Sequence, residues 1–292
     1  GMEMVTLGRT GLQVSRLGVG LAELGQISLD EVSTAESILV GALDGGINFF
    51  DTAECYGNSE ELIGNTVSHR RHEIVLATKA GHVSTGSSGK NWTGKTIKES
   101  IDSSLRKMRT DYLDIVQLHA YDVRTPISDE VIRAIVDAKD AGKTRFLGYS
   151  GENEDAEWAV NTGLFDTLQS AYNLMDQKAR YGLFEKVKAQ EMGFIAKRPI
   201  GNAVWGKALA LRKDPKRDIE MNGSLPGTSS ERLRRAKLMQ EEGPIPGAPE
   251  DHIVLALGFV LASEEVHTAI VGTRSPEHMI SNIKVASDYP PV

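Results

Sequence analysis

The sequence predicts an α/β fold, a closed (β/α)8 barrel with an N-terminal β-hairpin closing its bottom. Short apolar runs alternate with stretches of helical period along most of the chain, and that alternation argues a parallel sheet. Eight strand-and-helix units fit into the 292 residues, which argues a closed barrel rather than an open sheet. The Gly-rich phosphate turn of an open doubly wound sheet is incomplete. Leu17-Gly18-Val19-Gly20-Leu21-Ala22-Glu23 has two of its three glycines.

The hairpin comes first, from Val5 to Val14 around Gly8 and Gly11. Arg16 to Gly20 reads as the first barrel strand, and Asp30 to Leu43 as a helix ended by Gly45-Gly46. Asn48 to Ala53 is the second strand. The next helix begins near Asn58, with Glu61 three residues on as a capping box. Ile74 to Lys79 is the third strand, and Ile97, Ile101, Leu105 and Met108 recur at helical spacing. Leu113 to His119 is the fourth, followed by a helix marked by Val131, Ile132, Ile135 and Val136 and stopped by Gly142. Thr144 to Ser150 is the fifth, with a helix around Trp158. Thr167 to Asn173 is the sixth, with a helix through Tyr181, Phe184 and Val187. Phe194 to Lys197 is the seventh. Ile253, Val254, Leu257, Val260 and Leu261 make an apolar helix, and Thr268 to Thr273 is the eighth strand. A last helix starts at Ser275-Pro276, with Ser as N-cap and Pro at its first position.

Residues 1–292 read as one barrel domain. The segment 201–249 breaks the rhythm with Gly and Pro and one charged piece near Glu231–Glu242, and reads as a long loop at one face.

Composition limits the function. The chain is 40% apolar and 25% charged, and its formal charge of −7 disfavours a general nucleic-acid binder. No apolar run approaches a membrane span, and no signal segment opens the sequence. Gly1 ahead of Met2 has the form of a tag-cleavage scar. A single cysteine, Cys55, rules out an internal disulfide framework and fits a reducing cytoplasm.

The chemistry gathers at strand ends. The second, third and fourth strands finish near Asp51, Lys79 and His119, and Tyr56 lies in the loop after the first of these. C-terminal strand ends share one barrel face, and adjacent strands are about 4.8 Å apart, so the four side chains can meet. A lone Asp, Lys or His at such a place is usually a cap or a rim residue; three at adjacent strands are harder to dismiss. An ammonium near a phenol favours phenolate and lowers its pKa from about 10. Asp51 would hold Lys79 charged, and a neutral His119 could orient a substrate oxygen. A phenol that protonates a carbonyl oxygen is half of a carbonyl reduction. The hydride must come from a cofactor, since no side chain supplies one.

Four segments together resemble the aldo-keto reductases: Asn48 to Gly57, the strand ending in Lys79, Gln117-Leu118-His119, and Gly272 to His278 with Asn282. The resemblance spans nearly the whole chain. It implies a (β/α)8 barrel with a bottom-closing hairpin, using NADPH, less often NADH, without a metal. It implies Tyr56 as proton donor, Asp51 and Lys79 as its tuning pair and His119 as the orienting group. Ser150 and Gln169 match ligands of the nicotinamide carboxamide. Gly272, Thr273, Arg274, His278 and Asn282 match the segment that holds the adenosine phosphate and adenine.

The chain departs from the family pattern in places. Ser150 is followed by Gly151 where many members have Asn. Lys197-Arg198 stands where the family often has a nicotinamide-stacking aromatic and then Ser; these cations are expected to contact the pyrophosphate. Gly272 stands where some members have Lys, so a preference for NADPH rests on Arg274. Trp92, Trp205 and 201–249 are expected to wall the substrate, on position alone.

The reading is an NAD(P)H-dependent oxidoreductase acting on an aldehyde or ketone, or on the alcohol in reverse (class EC 1.1.1.-). Its partner is a small carbonyl or alcohol substrate. Two other readings stay open: a Schiff-base aldolase using Lys79, and a regulatory, cofactor-sensing barrel with little turnover. Oligomeric state is not legible.

Overall fold

The computed structural model describes residues 1–83, 89–119, 127–200 and 252–288. Strands β1 (Met4–Thr6) and β2 (Gln13–Ser15) pair antiparallel as the expected hairpin. Eight parallel strands follow: β3 (Leu17–Gly20), β4 (Phe49–Asp51), β5 (Val75–Ala80), β6 (Leu113–His119), β7 (Thr144–Ser150), β8 (Thr167–Ala171), β9 (Gly193–Lys197) and β10 (Thr268–Gly272). They close into a barrel, β10 bonding back to β3. The outer helices are α1 (Val32–Asp44), α2 (Ser59–Val67), α3 (Gly94–Met108), α4 (Asp129–Asp140), α5 (Asn153–Thr162), α6 (Leu183–Ala189), α7 (His252–Leu261) and α8 (Pro276–Asp288). None of the described helices is long and apolar enough to cross a membrane. The segment 201–249, with Trp205 and Glu231–Glu242, lies outside the described residues.

Alternation along each strand decides what faces the barrel axis. Phe49, Val75, Ala77, Ile115, Ile195 and Ile270 form one buried apolar cluster with Leu7, Leu12 and Val14 of the hairpin. The hairpin therefore plugs the barrel bottom with side chains. The alternate residues, such as Phe50, Leu76 and Val116, pack outward under the helices in a second cluster. Inside the barrel, space for this filling comes partly from glycine. A Cβ on Gly18 would touch Phe49 and Ile270 at 3.0–3.1 Å, and one on Gly148 would run into Thr167 and press on Gln117. The same inward rows become polar two residues further up. Phe49 gives way to Asp51, Ala77 to Lys79, Ile115 to Gln117 and His119, and Ile195 to Lys197.

Local signals held at some ends and failed at others. Ser275 caps α8 as expected: its hydroxyl accepts from the His278 N–H at 3.3 Å, and Pro276 occupies the first position. Asn58 precedes α2, but the expected capping box does not form. Its side chain instead donates to the Ile27 carbonyl at 3.0 Å, and a tertiary bond has displaced the local cap. Tyr181 falls outside α6 and is exposed.

Between α2, α3 and β5 lies a buried polar nest. The Thr78 hydroxyl donates to Glu60 Oε2 at 2.7 Å. Glu60 Oε1 and the Ser104 hydroxyl are buried without hydrogen-bond geometry to a partner, although Ser104 is near enough to favour the carboxylate. Lys107 pairs with the neighbouring buried Glu54 at 3.0 Å. Burial dominates over Ser104, Thr78 and Lys107, while Glu54 adds repulsion, so the Glu60 pKa is pushed up to about 7. A carboxyl with a raised folded pKa contributes stability that is fully present below the unfolded value of 4.5 and is lost as pH rises through about 7. Glu60→Gln stays neutral, so its stability relative to wild type should rise by roughly 2–3 kcal/mol between pH 4 and pH 8. Urea unfolding at the two pH values measures this; an unchanged difference would show that folding leaves the Glu60 pKa at its unfolded value.

Candidate active site

Asp51, Lys79 and His119 end adjacent strands β4, β5 and β6, and all three face the barrel axis. Lys79 Nζ lies 2.5 Å from Asp51 Oδ2 and donates to the Thr52 carbonyl at 3.2 Å. Both side chains are nearly inaccessible, at 1% and 3% exposure. The other carboxylate oxygen, Asp51 Oδ1, accepts from Gln117 and from Gln169, each at 2.9 Å. Gln169 also donates to Gln117 Oε1 at 3.0 Å, and its own Oε1 accepts from the Ser150 hydroxyl at 3.4 Å. Four strands thus converge on one carboxylate. Burial disfavours the Lys79 ammonium, but Asp51 and Tyr56 outweigh it and hold its pKa above the ordinary lysine value.

Tyr56 reaches the pair from the loop after β4. Lys79 Nζ lies 4.8 Å from the centre of its ring. Lys79 lowers the phenol pKa, as expected, but burial is larger and Asp51 opposes it, so the net direction is up. The charge of Lys79 is legible in the sequence, whereas the desolvation that accompanies it is not. His119 stands edge to Tyr56 with ring centres 6.1 Å apart. Burial first, then Lys79, Lys197 and His82, bring its pKa down to about 3, so the imidazole is neutral near pH 7. Cys55 Sγ lies 3.9 Å from His119 Nδ1.

A cavity of about 730 Å³ runs from Tyr56 past Gln169, Lys197 and Arg198 to Gly272, Thr273, Arg274 and His278. It falls within the usual range of small-molecule sites, about 300–1,000 Å³. Arg274 is exposed at the start of α8, bonded to Gln26 at 2.9 Å. Asn282 is buried on the same helix. Lys197 and Arg198 both pair with Glu152 Oε1, at 2.9 and 2.8 Å. The donors suit a dinucleotide: an arginine beside a helix N-terminus for a phosphate, and paired amide and hydroxyl groups for a carboxamide.

A family model of the aldo/keto reductase family matches residues 16–289. The chain belongs to the aldo/keto reductase family. It is 31% identical to an uncharacterized oxidoreductase, YqkF, of Bacillus subtilis (strain 168), over 96% of this chain and 90% of that protein. It is also 27% identical to a probable voltage-gated potassium channel subunit beta of Oryza sativa subsp. japonica, covering 99% of this chain and 92% of that one. Among solved structures it resembles the holo form of aldo-keto reductase AKR11C1 from Bacillus halodurans, with a TM-score of 0.79, 28% identity, and coverage of 100% and 93%. Membership makes this protein an oxidoreductase of the NAD(P)H-dependent carbonyl type in general.

Several positioning residues carried no signal in the sequence. Glu152, besides its two cations, accepts from the Ala171 N–H at 3.0 Å and the Ser170 hydroxyl at 3.1 Å. It is ordinary in type, and only the barrel brings β8 and β9 to it. Trp92, expected as a substrate wall, packs edge-on to His82, which in turn stands 5.4 Å from His119 between ring centres. Gly25 is another. It accepts from the Asn58 N–H at 3.1 Å, and a Cβ there would collide with the Tyr56 carbonyl oxygen. Gly25→Ala should therefore displace the Tyr56 loop and cut carbonyl turnover by roughly tenfold or more. Steady-state kinetics beside a cofactor titration tests it; turnover unchanged from wild type would show that the loop tolerates the shift.

Proposed function

We propose that this aldo-keto reductase reduces an aldehyde or ketone to the alcohol, with Tyr56 as proton donor and NADPH preferred to NADH. The observation that carries the proposal is the buried Asp51–Lys79 pair set against the Tyr56 ring, which lines a cavity together with Lys197, Arg198 and Arg274. When bound, the nicotinamide supplies the hydride. Tyr56 gives its proton to the carbonyl oxygen. Lys79 stabilises the phenolate left behind, and Asp51 holds Lys79 in place and charged. His119, neutral and with Nδ1 turned toward Cys55, presents Nε2 to the substrate oxygen. Ser150 and Gln169 hold the carboxamide, and Thr273, Arg274, His278 and Asn282, with the Gly272 backbone, hold the adenosine end. The lone cysteine suits a reducing cytoplasm.

The aldolase reading loses ground on electrostatics. A Schiff base needs a neutral amine, and Lys79 is ion-paired with its pKa raised. A regulatory reading draws support from relatives such as the rice protein, a probable voltage-gated potassium channel subunit beta. Full turnover of a carbonyl substrate with matching NADPH oxidation separates the reductase from both.

Tyr56→Phe removes one oxygen and keeps the ring. Turnover should fall at least about 10²–10⁴-fold, with NADPH affinity little changed. Near-normal turnover in Tyr56→Phe, together with loss in His119→Ala, would move the acid to His119. Arg274→Ala should weaken NADPH about ten- to a hundred-fold, the size of a charge-assisted contact of about 1.5–3 kcal/mol, and leave NADH nearly unchanged. Fluorescence titration decides it, and equal losses for both nucleotides would remove Arg274 from 2′-phosphate recognition.

A further inference from the structure

We propose that Lys197 sets the cofactor redox state this protein binds best, using its charge to disfavour the oxidised, cationic nicotinamide against the neutral reduced one. The inference rests on the proposed function. A hydride acceptor whose oxygen meets Tyr56 requires the donor carbon within about 3–3.5 Å of the carbonyl carbon. The donor ring must then occupy the part of the cavity that Tyr56, Gln169 and Lys197 line together. Lys197 is next to Gln169 in space: β9 lies against β8, with Lys197 opposite Ala171 and Gln169 opposite Ile195.

Glu23 lines the same cavity near Gly272, but the charges at the ends of β4, β5, β6 and β9 do not cancel among themselves. Asp51 neutralises Lys79, and His119 is uncharged near pH 7. Lys197 and Arg198 share one carboxylate, Glu152, so one positive charge is left over at the end of β9. A fifth of the Lys197 side chain is open to the cavity, and Glu152 stands 2.9 Å away. Burial and Arg198 pull the Lys197 pKa down, while the paired Glu152 favours the ammonium. The turn that presents it is held in an unfavourable conformation. Arg198 has φ +55°, and the Asn173 side chain pins its carbonyl at 3.0 Å.

On giving up hydride, two electrons and a hydrogen nucleus leave the ring, which becomes cationic; the carbonyl carbon takes them, and its oxygen takes the Tyr56 proton. A fixed cation beside the ring opposes the oxidised form and leaves the reduced form nearly untouched. The protein then holds NADPH more tightly than NADP⁺.

Lys197→Met keeps most of the aliphatic stem and removes the charge, and leaves Glu152 paired one-to-one with Arg198. The ratio of the NADP⁺ to the NADPH dissociation constant, from tryptophan fluorescence of the full chain, should fall roughly tenfold, the effect of a unit charge several ångströms away across a partly wet cavity. Lys197→Arg should keep the wild-type ratio. Lys197→Gln, a second neutral variant, should shift it as Met does if the Met variant fails to fold. Equal weakening of both nucleotides by the neutral variants would assign the charge to the phosphates and overturn the proposal. An unchanged ratio would overturn it too. Failure of the wild type to bind either nucleotide would remove the proposed function itself.

Discussion

The ion pair between Asp51 and Lys79 is the constraint around which this barrel's upper half is built. Taking two charges out of water costs several kcal/mol per ion unless geometry and extra hydrogen bonds repay it. Here Asp51 meets Lys79, Gln117 and Gln169, and Lys79 also reaches the Thr52 carbonyl. Removing either charge alone would strand the other, at about 3–5 kcal/mol. The two glutamines are satisfied largely by this carboxylate and by each other. Hence the pair, the amides of β6 and β8, and the Ser150 hydroxyl form one network, and Tyr56 stands over its cationic end.

The barrel supplies this network with a rigid floor. Hairpin side chains and the lower inward rows exclude water beneath it, and that burial explains three titration effects together. It pushes the Tyr56 phenol up and the His119 imidazole down, and it works against Lys79. Only the lysine, with a carboxylate at 2.5 Å, overcomes it. On the other face of β5, Thr78 bonds Glu60 one residue from Lys79. The strand that carries the active ammonium is thus gripped from both sides.

The opposite wall of the cavity has a looser charge arrangement. Glu152 collects two cations and two further donors, and Arg274 bonds the neutral amide of Gln26. Cations whose charge is not fully matched within the protein are prepared for an anion from outside. Between this wall and the Asp51 network, the cavity grades from a neutralised, buried interior to an electropositive rim.

The sequence alone determined the eight-fold alternation, the hairpin, the Ser275 cap and the three strand-end residues with Tyr56 beside them. These depend on periodicity and on neighbours a few positions apart, and the shared polarity of Asp51, Lys79 and His119 follows from parallel strands whose ends share a face. Tertiary structure decided what depends on distant partners. Asn58 abandoned a local capping box for the Ile27 carbonyl, because a bond across the fold displaced one along the chain. Glu152 joined Lys197 and Arg198 across 46 positions of sequence or nearly so, and Gly25 and Glu60 acquired meaning only through what packs on them. The net direction of the Tyr56 pKa was likewise invisible, because a charge can be read from residue type, whereas desolvation exists only once the chain has closed around the group.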